Sequence, residues 1–134
     1  ELAEFAQSFK AGGDVRDTTL YTYAAGDVLD YTTTYNGGTE DSKTVTDLAK
    51  KSYTNYVGNT KGEEIADYQL TYKGESGSET VSSTNVYFYL SAHKRASDSG
   101  VTADDAMSAS ASYKGDKSAA VYTDKTDLRT RTHY

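Results

Sequence analysis

The chain has 134 residues, enough for one domain with a core of ordinary size, and its 20 acidic against 14 basic residues give a net charge of −6, which argues against a general nucleic-acid or anionic-membrane surface. It has no cysteine, which removes disulfides, thiolate metal sites and cysteine nucleophiles. Apolar residues make up 36%, with 13 tyrosines against three phenylalanines and no tryptophan, so the core is light and most aromatic area sits on a side chain with a polar tip.

Taken in order, Leu2, Phe5, Ala6 and Phe9 form one apolar stripe at helical spacing, and Gly12-Gly13 stops it; this predicts a short N-terminal helix over residues 1–11, in need of a docking surface. Thr18 to Tyr23 and Val28 to Tyr35 are rich in β-branched and aromatic residues around a turn at Ala25-Gly26-Asp27, and Asn36-Gly37-Gly38 supplies a tight turn after them. Lys43 to Val57 reads two ways. Val45, Leu48, Ala49, Ser52, Tyr53 and Tyr56 fall at helical spacing, whereas Thr44-Val45-Thr46 and Tyr53 to Val57 have strand propensity.

Ile65 to Lys73 alternates, with Tyr68, Leu70 and Tyr72 on one face. Asn85 to Ala92 is the densest apolar and aromatic run, and its Val86 to Leu90 segment predicts a strand covered on both faces. A polar connection, Ala96 to Asp105, leads to an alternating strand through Met107, Ala109, Ala111 and Tyr113, and Ala119 to Thr123 reads as the returning strand. The charged end, Asp124 to Tyr134, reads as an arm or an edge strand. Tyr35-Asn36-Gly37, Tyr72-Lys73-Gly74 and Tyr113-Lys114-Gly115 each close an alternating strand, which suggests hairpins built alike.

Candidate chemistry is sparse. His93 lies near Ser91, Ser97 and Asp98 in sequence, but a triad is defined by geometry and no nucleophile-elbow pattern accompanies these residues. The Asp98 to Asp105 loop carries carboxylates of the kind calcium takes, without a twelve-residue calcium-loop pattern. No phosphate-cradling glycine loop, histidine metal cluster or dinucleotide fingerprint can be written from these residues. The longest apolar run falls far short of a membrane-spanning helix.

These observations predict a single domain over residues 1–134, mainly β: an antiparallel sandwich or small barrel of about seven strands, with the N-terminal helix and a second helix as an alternative at Lys43 to Val57. The expected function is a non-enzymatic structural subunit with protein partners, either copies of itself or other subunits, and with no cofactor or metal. Candidate assembly contacts are Leu2, Phe5 and Phe9 at one end of the chain and Arg129, Arg131 and Tyr134 at the other. The start at Glu1 rather than Met suggests a removed leader and an extracellular or virion location. The alternative is a binding module that recognises carbohydrate or protein through tyrosine-bearing strand faces and Ser/Gly/Asn loops.

Overall fold

In the computed structural model, which describes Glu1–Tyr134 throughout, eight strands form one open antiparallel sheet in chain order. They are β1 (Phe5–Phe9), β2 (Val15–Ala24), β3 (Val28–Asn36), β4 (Lys50–Val57), β5 (Ile65–Lys73), β6 (Thr80–Tyr89), β7 (Met107–Lys114) and β8 (Leu128–His133). Each strand packs only on its sequence neighbours, so β1 and β8 are free edges.

This overturns the sandwich or barrel and both helices. The N-terminal stripe is strand β1, with Phe5 opposite Leu20 and Gln7 opposite Thr18: a ten-residue helix is marginal alone, whereas the open side of β2 offers a full row of backbone partners. Lys43 to Val57 is a turn-rich connection followed by β4, where Tyr53, Tyr56 and Val57 follow their β-propensity. The expected return strand at Ala119 to Thr123 lies in the β7–β8 connection instead.

The sheet is two four-stranded halves built in the same registers. The pairs Tyr31↔Asn55, Thr33↔Tyr53 and Tyr35↔Lys50 of β3–β4 recur as Ala109↔His133, Ala111↔Arg131 and Tyr113↔Leu128 of β7–β8, an offset of 78 residues (113 minus 35). The β2–β3 ladder recurs in β6–β7, where Thr18↔Tyr35 becomes Thr84↔Tyr113, and the β1–β2 ladder recurs in β5–β6, where Phe5↔Leu20 becomes Tyr68↔Val86. The register shifts also coincide, including those beside Tyr35 and Tyr113.

One polar device repeats with the registers. Thr18 and Thr84 are fully buried, and their hydroxyls donate to the carbonyls of Gly37 and Gly115 at 2.9 and 2.7 Å. Those same glycines return their N–H groups to Arg16 and Ser82. Gly37, Gly74 and Gly115 all adopt positive φ, so the three Tyr-x-Gly segments close equivalent odd strands, where a side chain would be strained.

Residues opposite each other in a ladder share a face. One face is polar, with Thr19, Thr34, Ser52, Thr71 and Ser83 in one transverse row. The other holds the core, which is concentrated in the second half: Val86, Phe88, Ala109, Ala111, Tyr113 and Ala120. There the β7–β8 connection folds over the sheet, and Tyr122 meets Phe88 edge-on at 5.6 Å.

Candidate functional site

Two surfaces are open in this architecture: the pair of free sheet edges, and the middle of the apolar face. The six candidate contacts divide between the edges. Leu2, Phe5 and Phe9 belong to the β1 side and Arg129, Arg131 and Tyr134 to the β8 side, with six strands between the two groups. Only three large apolar side chains are well exposed, and two of them mark the edges: Phe9 at 43% and Tyr134 at 74%. Leu2 is half-buried and lines a cavity of about 450 Å³ with Leu20, Tyr23 and Lys43. Arg129 is exposed.

Arg131 is turned inward. Its Nη2 donates to the carbonyls of Tyr122 and Asp124, and its guanidinium lies 4.2 Å from the Tyr122 ring centre. The imidazole of His93 also stacks on Tyr122, at 4.0 Å and 18°. Arg131 therefore ties β8 to the connection that covers the core, and sequence alone gave no sign of that role.

In the middle of the apolar face, Tyr31, Tyr53 and Tyr68 run across β3, β4 and β5 with ring centres 5.2 and 6.2 Å apart. Burial raises the Tyr68 and Tyr72 hydroxyls above 10, with neighbouring Tyr53 adding to the effect in both. Lys50 lies 5.7 Å from the centre of the Tyr72 ring. This half-buried patch was partly legible, since alternation groups Tyr31 with Tyr35 and Tyr68 with Tyr72.

The other candidates are structural in their geometry. His93 Nδ1 is 2.8 Å from Ser108 Oγ, rather than beside Ser91, Ser97 or Asp98. The Asp98 carboxylate accepts from the Arg95 N–H, and that of Asp105 from the Thr102 N–H and hydroxyl, so both carboxylates cap their own loop. No group of three or more His, Cys, Asp or Glu side chains is placed to hold a metal ion. A cleft of about 480 Å³ lies between the β4–β5 turn and this loop, lined by Asn59, Glu63, Ser97 and Thr102.

The most buried charges are Arg95 and Asp67, which form a two-pronged ion pair, 2.8 Å at each contact. Arg95 also donates to the carbonyls of Ala120 and Ser118 at 2.7 Å. These contacts use four of the guanidinium's five N–H donors and pin two connections to β5, the geometry in which a buried pair is tolerated. A lone arginine in a polar stretch carries no sequence signal of this.

No family model, curated protein or solved structure matches this chain. No helix is long and apolar enough to cross a membrane.

Proposed function

We propose that this chain is a non-enzymatic structural subunit of a larger protein assembly, of the kind that builds an extracellular filament or a virus particle. The observation that carries the reading is the pair of free edges, β1 and β8, with an exposed aromatic side chain at each: Phe9 at the end of β1 and Tyr134 just past β8. Unpaired strand edges are templates for pairing with another chain. Neither is blunted by proline, and β1, Phe-Ala-Gln-Ser-Phe, carries no charge.

Surface area points the same way. The chain exposes 7857 Å², against about 6,900 Å² for a typical folded monomer of its mass. The excess, about 1,000 Å², is close to the ~800 Å² that each partner contributes to a standard interface. A single sheet layer must cover its apolar face with something, and here only 16 of 134 residues are buried.

A binding module is the second reading, favoured by the Tyr31–Tyr53–Tyr68 patch, because clustered tyrosines present stacking area at small entropic cost. Light scattering across concentration and salt separates the two. Oligomers well above 14.5 kDa are expected, and a monomer at every concentration would overturn the subunit reading in favour of the binding module.

A further inference from the structure

We infer that copies of this chain join head to tail, β8 of one against β1 of the next, and extend one continuous antiparallel sheet. This rests on the subunit reading and specifies its contact.

β1–β4 and β5–β8 share their three internal ladders, so the free edge of β8 is equivalent to the edge that β4 presents to β5. The free edge of β1 is likewise equivalent to the edge that β5 presents to β4. That junction already exists inside the molecule, as the β4–β5 ladder. A β8–β1 contact between copies uses the same two edges again.

Polarity agrees. With eight alternating strands, β1 and β8 run in opposite directions, so copies related by simple translation meet antiparallel, as every pair in the sheet does. An odd number of strands would have met parallel.

The repeat also fixes the register. Thr54↔Gln69, Tyr53↔Leu70, Asn55↔Tyr68 and Tyr56↔Ala66 of the internal junction map onto Thr132 opposite Ala6, Arg131 opposite Gln7, His133 opposite Phe5 and Tyr134 opposite Ala3 of the next copy. Each face stays continuous in this register. The exposed Tyr134 gains the place that Tyr56 holds inside the molecule, and the hydroxyl-bearing face continues through Thr130 and Thr132. Such a contact is heterologous, so it closes into a ring or extends into a filament according to the rotation between copies.

The chain has no native cysteine, so introduced thiols report the contact directly. Ala6 and Thr132 are exposed, and directly opposed strand residues have the Cα separation a disulfide needs. Within one copy they are about 34 Å apart across seven strand spacings, and β1 and β8 make no contact.

Copper phenanthroline oxidation of the A6C/T132C variant is expected to give a ladder of linked dimers, trimers and longer species. An equal mixture of A6C and T132C should stop at the dimer, and neither single variant alone should link. Dimers from a single variant would overturn head-to-tail joining in favour of a symmetric edge contact. Oligomers by light scattering with no ladder would overturn this contact while leaving the subunit reading intact, whereas a monomer throughout would overturn both.

Discussion

Single residues hold this sheet in places where the backbone alone would leave groups unpaired. Glu64 accepts from the N–H of Leu29 at 2.8 Å and of Gly62 at 2.9 Å, and Glu79 does the same for Lys50 and Gly77, both at 3.1 Å. In each case a Gly-x-Glu turn caps the first exposed amides of a strand two positions back, and the cross-strand hydrogen bond, to Leu29 or to Lys50, is the main force holding the carboxyl below its ordinary range. Tyr89 is shifted in the opposite sense. Its hydroxyl donates to the Ala66 carbonyl at 2.6 Å, and burial, with the Asp67 charge adding, pushes its pKa up to about 12. Unfolding releases that hydroxyl to its ordinary value near 10, so between pH 10 and 12 the unfolded chain holds fewer protons and stability falls as pH rises. Below pH 10 the contribution is fully present. Thermal melts across pH 8–12 should show this decline, and Tyr89→Phe should flatten part of it while lowering stability at pH 8 through loss of the bond to Ala66. An unchanged slope in the variant would assign the alkaline loss to other groups, such as Tyr68, Tyr72 and Tyr87, whose hydroxyls burial also raises.

At the scale of elements, β6 is where the energy is concentrated. Val86 and Phe88 are fully buried against Ala111 and Ala109 of β7, under Ala120 and Tyr122. Phe88→Ala should cost about 3–5 kcal/mol in urea unfolding, the usual loss for a buried aromatic whose cavity cannot collapse. The structurally equivalent residue in the first half is Thr22, opposite Tyr31, a half-buried pair in which large and small have changed strands. Thr22→Ala should cost under about 1 kcal/mol, and comparable losses at the two sites would mean that the core is not concentrated in the second half. β6 could be read from the sequence because its apolar run is dense, β2 and β3 because β-branched and aromatic residues fill them, and β5 and β7 because their apolar residues alternate. But β6 is not covered on both faces as expected, since Tyr87 stands half-buried on the polar face of a single layer and Leu90 lies past the strand's end at positive φ. β1 misled because Leu2, Phe5 and Phe9 satisfy a helical stripe, while the strand reading depends on Phe5, Gln7 and Phe9 sharing a face, with a glutamine in the middle. That glutamine is there for a loop: its amide donates to the carbonyls of Thr39 and Ser42 and accepts from the Asp41 N–H. A contact more than thirty residues away leaves no periodicity to detect.

For the molecule as a whole, openness was the feature that sequence could not convey. Short glycine turns establish antiparallel neighbours, but closure depends on whether the first and last strands meet, and nothing local decides that. The repeat was hidden for a related reason: equivalent residues are 63 (68 minus 5), 66 (84 minus 18) and 78 (113 minus 35) apart in successive strands, the last and largest step arising because the β2–β3 turn of three residues is replaced by the long β6–β7 connection from Leu90 to Ala106. Most side chains at equivalent positions differ, and the shared pattern lies in the registers and the Thr-to-Gly bonds. The energetic consequence is uneven. A single layer with its largest apolar cluster at one end leaves β1 and β2 held mainly by their ladders and by the loop that Gln7 anchors, so amide exchange should be slowest in β6 and β7 and fastest in β1. If copies add to one another at the edges, that gradient must shift with concentration, because binding that favours the folded state raises its stability by mass action. Over a hundredfold rise in concentration the Tm should climb, and protection should grow at β1 and β8 while β6 and β7 keep theirs. A Tm independent of concentration, with β1 exchanging at one rate throughout, would mean that the sheet stands alone with both edges bare.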